Sequence, residues 1–239
     1  MADITTCTDA DDLADRAADW LVDAIAATPG RAAICLSGGS TPKRLYQRLA
    51  RDPWRARLPW PRLHWFFGDE RVVPADDPRS NQHMAREALL DQAPVPPDQV
   101  HAVPVAGLDP EAAAAAYQAA LEHYYGGPAL DPQRPLFDVM LLGIGPDGHT
   151  ASLFPGSPAL RETRRWAVAG PPGLEPFVPR VTLTFPALAA SRATAFLVSG
   201  ADKRAILPRV LAGEDLPAAR AATVPGVRWF ADKAALGEA

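Results

Sequence analysis

Cysteine is nearly absent from this chain of 239 residues: only Cys7 and Cys35 occur, far apart and without a C-x-x-C pair. That argues against a disulfide framework and against a zinc site, and leaves two free thiols, buried or partly buried. Lysine is rare as well, three among 24 basic residues, and no basic run exists; with a net charge of −4, the electrostatic footprint of a nucleic-acid binder is missing. An anionic small molecule would need a local positive site instead. No apolar run approaches membrane-spanning length, and the first residues, MADITTCTDADD, carry aspartates where a signal peptide starts basic. The expectation is a cytoplasmic protein whose partner is neither a membrane nor a nucleic acid.

Hydrophobic residues make up 48% of the chain, enough to fill the core of one enzyme-sized domain over residues 1–239. Leu13, Ala17, Trp20, Leu21, Ala24 and Ile25 recur at helical spacing and predict an amphipathic helix over 9–27, which Pro29-Gly30 ends. Apolar runs predict strands at AAICL (32–36), LHWFF (63–67), FDVMLLGI (137–144), WAVAG (166–170), RVTLTF (180–185) and TAFLV (194–198). Helical patterns lie between them at 42–50, 81–92, 110–125 and 201–212; Pro208 demands a bend or an early stop in the last. Strands without polar alternation, separated by helices, argue for a doubly wound α/β fold, a mostly parallel sheet with helices on both faces. The end, VRWFADKAALGEA, reads as a last strand and a short helix without assigned chemistry.

Open α/β sheets bind ligands at the carboxyl ends of their strands, so the segments after each apolar run carry the chemistry. After AICL comes SGGSTPK: Ser37, Gly38, Gly39, Ser40 and Thr41, with Thr41 expected as helix cap and Pro42 as first helical residue. Glycine N–H groups, hydroxyls and a helix N-terminus make an anion site, though an ordinary strand-to-helix turn has similar ingredients. After AFLV comes SGADK, where Lys203 opposes the helix dipole unless an anionic ligand compensates; a solvated surface lysine is the alternative. GDERVV places Asp69, positioned to hold sugar hydroxyls, beside Arg71, whose guanidinium suits phosphate or carboxylate oxygens; Arg180 is a weaker candidate of the same kind.

The fourth segment, LLGIGPDGHTASLFPG, spells G-x-G-x-x-G with Gly143, Gly145 and Gly148. A dinucleotide fingerprint needs a long helix after its third glycine, and Pro155, Gly156 and Pro158 leave no room for one. What remains is a tight turn presenting Asp147 and His149 at a strand mouth. Imidazole suits a general base near neutral pH. His64, His83, His101 and His123 lie in strand, helix or loop contexts that give them no task, and no histidine pair has metal-ligand spacing. Asp147 either orients His149 or shapes the turn.

Together, LSGGSTPKRLY, FFGDERVVPADDPRSN, LLGIGPDGHTASLFPG and VSGADKRAIL, in this order over residues 36–206, resemble the 6-phosphogluconolactonase family, whose superfamily also holds the glucosamine-6-phosphate deaminases. The resemblance implies a Rossmann-like domain, no cofactor, and hydrolysis of the δ-lactone of 6-phosphogluconate. It implies His149 as general base, and Lys203, Arg71 and the Gly38–Thr41 loop as holders of the phosphate. The deaminases resemble the chain at GIGPDGH but carry a glutamate five residues after the histidine, where Phe154 stands, and an aromatic where Arg71 stands. A non-catalytic sugar-phosphate sensor on the same fold would keep the GGST loop and Lys203 without needing His149.

Overall fold

Ala32–Leu36 form a strand buried at every position, which is what an apolar run without alternation requires at the centre of a covered sheet. The computed structural model describes residues 2–224 and 226–238. Its strands are β1 (Asp3–Cys7), β2 (Ala32–Leu36), β3 (Leu63–Phe67), β4 (Asp69–Arg71), β5 (Phe137–Leu142), β6 (Ala167–Gly170), β7 (Arg180–Leu183), β8 (Ser191–Val198) and β9 (Val227–Asp232). Its α-helices are α1 (Ala10–Ala26), α2 (Ser40–Leu49), α3 (Trp54–Arg57), α4 (Asn81–Ala85), α5 (Pro110–Tyr125), α6 (Phe185–Ala189), α7 (Leu207–Leu211), α8 (Pro217–Ala221) and α9 (Lys233–Leu236).

Six strands form a parallel sheet in the order β1-β9-β8-β5-β2-β3. From β2 the chain crosses outward to β3; from β5 it runs the other way, through β8 to β9. Right-handed crossovers in opposite directions put helices on opposite faces, the doubly wound arrangement. They also leave a crevice where the two directions diverge, at the carboxyl ends of β2 and β5. Helix α1 starts where Asp9 accepts from the N–H groups of Asp11 and Asp12, and it buries Leu13, Ala17, Leu21 and Ile25. Both cysteines are buried free thiols, and burial pushes Cys7 up to about 11.

Four expectations need correction. WAVAG and RVTLTF do not join the parallel sheet: β6 and β7 pair antiparallel with each other, and β7 with β4, in a separate three-stranded sheet. An apolar run reports burial, and the same burial serves either sheet. The helix expected over 81–92 is α4 followed by one wider π-type turn at Arg86–Leu90. The helix expected over 201–212 is a single 3₁₀ turn at Ala201–Lys203 and then α7, whose first turn holds Pro208, where a missing N–H breaks no helical bond. Finally, β1 and β4 form strands where none was expected.

Candidate active site

A cleft of about 240 Å³ opens at the divergence of the strand connections. Ser37, Gly38, Gly39, Asp69, Arg71, His149, Arg180 and Lys203 all line it; Ser40, Thr41 and Asp147 do not. Four loops far apart in sequence thus converge on one site.

The G-x-G-x-x-G segment folds around its histidine. Gly145 N–H donates to the His149 carbonyl (2.9 Å) and Gly148 N–H to the Gly145 carbonyl (3.0 Å), a closed turn that Gly148 completes at φ 82°. No helix follows until a 3₁₀ turn at Pro158–Arg161, so the segment cannot cradle a pyrophosphate as a dinucleotide fold does. The imidazole lies flat against the Gly145 backbone: a Cβ there would stand 2.0 Å from its Cε1 and Nδ1. Asp147 Oδ1 lies 2.5 Å from His149 Nδ1 and also accepts from the His149 N–H at 3.1 Å. Holding Nδ1 as the donor leaves the lone pair on Nε2, the tautomer a general base needs. The ring also meets Phe154, centroids 4.5 Å apart, and Phe154 is backed closely by Gly173. Ala151, the one described non-glycine residue with positive φ (48°), also lines the cleft.

Thr41 is not the helix cap. Helix α2 begins at Ser40 behind Gly39, whose φ of 107° suits glycine, and no side chain caps it. The hydroxyl of buried Tyr46 accepts from the Ser37 N–H (2.9 Å) and donates to the Ser37 carbonyl (2.7 Å), fixing the loop from below. Among the described residues, the N–H groups of Gly38 and Gly39 have no partner within the chain. Ahead of a helix N-terminus these are donors for an anion.

Asp69 and Arg71 alternate with Glu70 along β4, so both face the cleft while Glu70 points away from it. Asp69 is buried yet satisfied: Ser152 Oγ donates to Oδ2 (2.5 Å) and Asn81 Nδ2 contacts Oδ1 (3.2 Å). Arg71 donates through Nη1 to the Arg79 carbonyl (2.6 Å), and its buried Nε has no partner. Arg180 is 3% exposed and spends its donors on the carbonyls of Pro172, Leu174 and Pro176, with Nη1 4.0 Å from Asp69. Burial lowers its basicity and the Asp69 charge opposes that. Its main work is therefore to clamp the 172–176 loop, while its edge reaches the cleft.

Asp202 does not cap the turn before Lys203. Its carboxylate instead lies 2.9 Å from Lys203 Nζ. The loop that carries Lys203 is tied down by Asp232 at the end of β9, which accepts from Ser199 Oγ (2.5 Å) and the Gly200 N–H (3.1 Å). The expected last strand and short helix are present as β9 and α9, and they support the site.

Asn81, Ser152, Glu70 and Asp232 are the functional neighbours that sequence reading left unassigned. Only Asn81 had a local signal, following Ser80 as a helix start; the bonds by which the others support the site reach mainly to partners ten or more residues away.

A family model described as glucosamine-6-phosphate isomerases/6-phosphogluconolactonase matches residues 8–229. A 6-phosphogluconolactonase of Synechocystis sp. is 45% identical over 188 residues, 79% of this chain and 75% of that protein. One from Streptomyces coelicolor is 39% identical over 219 residues, 89% of this chain and 84% of that protein. The solved structure of 6-phosphogluconolactonase from Trypanosoma cruzi superposes with a TM-score of 0.87 at 33% identity, covering 99% of this chain and 96% of its own. With a family model matching residues 8–229 and these relatives covered over most of their length, the chain belongs to the glucosamine-6-phosphate isomerase/6-phosphogluconolactonase family.

Proposed function

We propose that the chain hydrolyses 6-phospho-D-glucono-1,5-lactone to 6-phosphogluconate, the lactone step of the oxidative pentose phosphate pathway, in the cytoplasm and without a cofactor. The observation that carries this reading is that His149, its Nδ1 2.5 Å from Asp147 behind it, lines the same cleft as Arg71 and Lys203. His149 Nε2 takes a proton from water as the oxygen attacks C1. The tetrahedral intermediate then expels the ring oxygen, which recovers that proton from Nε2 to become the C5 hydroxyl. Water is consumed and a carboxylic acid is formed, which ionises at neutral pH.

The phosphate, remote from C1, is held by Lys203, Arg71 and the Gly38–Thr41 loop, with the unpartnered N–H groups of Gly38 and Gly39 among its donors. Asp69, acceptor-only when ionised, takes sugar hydroxyls; Arg180 contributes its edge. Asp147 orients the base. Phe154 supports the lactonase over the deaminase reading: the position that would need a carboxylate for ring opening is a phenyl ring packed on His149.

The test is purified protein with freshly made lactone. Hydrolysis well above the spontaneous rate, lost in His149→Ala while 6-phosphogluconate still binds, is the expected result. A wild type that leaves the spontaneous rate unchanged removes the proposal, and ammonia from glucosamine 6-phosphate would replace it with the deaminase.

A further inference from the structure

Glu70 is 1% exposed, faces away from the cleft, and has no part in the chemistry above. Its carboxylate is nevertheless fully engaged. Oε1 accepts from the N–H groups of Arg71 (2.7 Å) and Asn81 (2.8 Å); Oε2 accepts from the N–H of Gln82 (2.7 Å) and the hydroxyl of Ser80 (3.0 Å). Four donors fill the four lone-pair directions of one carboxylate. Burial pushes its pKa up while these hydrogen bonds oppose the rise.

The partners of Glu70 form a turn, and that turn grips the two cleft residues on either side of Glu70. The Arg79 carbonyl accepts from Arg71 Nη1 at 2.6 Å. Asn81 Nδ2 donates to the Asp69 carbonyl at 2.9 Å and reaches its Oδ1 at 3.2 Å. The Asn81 amide also rests on Gly38, where a Cβ would stand 2.0 Å from its Oδ1. Three walls of the cleft therefore meet at one turn: the glycine loop, β4 and residues 79–82.

We propose that Glu70 is a positioning residue: by holding the 79–82 turn it aims the guanidinium of Arg71 and the carboxylate of Asp69 at the substrate, and so sets substrate affinity without touching it. Arg71 is where this matters most. With one Nη1 donor committed to the Arg79 carbonyl, the guanidinium is held at that end, and the turn sets the direction of its remaining N–H donors. This inference rests on the lactonase reading for the identity of the ligand.

The test compares Glu70→Gln with wild type for kcat, for KM with the lactone, and for 6-phosphogluconate affinity by calorimetry. Glutamine keeps the shape but replaces an acceptor by an NH₂ that faces N–H donors. The expected result is a KM and a dissociation constant raised by about 10-fold or more, with kcat within about threefold of wild type, because His149 and Asp147 are untouched. In an Arg71→Ala background the same change should alter affinity by less than about threefold, since the two residues act as one unit.

Should Glu70→Gln not fold, Ser80→Ala removes one of the four donors and should raise KM by roughly threefold at unchanged kcat. Folded Glu70→Gln or Ser80→Ala protein that binds 6-phosphogluconate as wild type does, or an undiminished effect in the Arg71→Ala background, overturns the proposal. A wild type without lactonase activity is a separate failure, that of the assigned reaction, and 6-phosphogluconate binding then still decides the role of Glu70.

Discussion

The imidazole of His149 lies directly on the Cα of Gly145, so close that a methyl group there would stand 2.0 Å from two ring atoms. The glycine that makes this loop look like a nucleotide site is the seat of the histidine. Gly145→Ala should therefore push the ring off Asp147 and out of line with C1. A shift of about 1 Å at a reacting group costs on the order of 100-fold, and that loss is expected in kcat, measured by proton release, with 6-phosphogluconate affinity nearly unchanged. An active Gly145→Ala enzyme would mean the ring position seen here is not the working one.

Asp147→Asn tests what the 2.5 Å contact does. An amide can offer its NH₂ to Nδ1, which places the proton on Nε2 and removes the lone pair that water needs. The expectation is a fall in kcat of about 10²- to 10⁴-fold. Asp147→Ala, which leaves the ring free to choose its tautomer, should be no worse. If Asp147→Asn keeps most of the rate, the aspartate merely shapes the turn.

Arg180→Lys keeps the charge and loses the fork. One ammonium cannot serve the carbonyls of Pro172, Leu174 and Pro176 together, and each buried acceptor left without a partner costs about 1–3 kcal/mol. Chemical denaturation should show a loss of that order, and KM should rise as the 172–176 loop loosens. Unchanged stability would mean that Arg180 is held for the substrate alone.

His64 Nδ1 and His101 Nε2 lie 3.0 Å apart, beside Tyr124, with Phe66 stacked on His101. Burial lowers both pKa values, that of His101 to about 4, helped by the neighbouring imidazole and Arg31 and opposed by Asp98. An unfolded imidazole titrates near 6.5, so on acidification the unfolded chain takes up its proton first. This contribution to stability is complete above about pH 6.5 and is lost as the pH falls toward 4. Urea midpoints at pH 7.5 and pH 4.5 should differ more for wild type than for His101→Gln, which keeps a polar partner for His64 but cannot titrate. Equal differences would place the acid sensitivity elsewhere.

Legibility followed the range of the forces involved. The strands at 32–36 and 63–67 and the helix at 110–125 appear at their expected bounds, because burial and helical periodicity are written locally. DITTC gives no strand signal because it is a mostly exposed edge strand, and Asp69–Arg71 none because three charges in a row carry no apolar pattern. The helix cap is Gly39 rather than the expected Thr41, since the φ of 107° that starts α2 leaves no mark beyond the glycine itself. In the site, His149, Asp147, Arg71 and Lys203 were visible as reactive groups at strand ends. Ser152 and Asn81 were not, because their task is to saturate Asp69, a partner that only the tertiary fold supplies.

The strand order carries a consequence for biosynthesis. Among the described residues, strand β1 pairs with β9 and with no other strand, Asp3 lying opposite Arg228 and Cys7 opposite Asp232. Strand β1 must therefore wait, unpaired, for a partner made 225 residues later, and this edge of the sheet closes only once that partner has emerged. Because Asp232 also ties down the Lys203 loop, that same late event fixes this wall of the cleft.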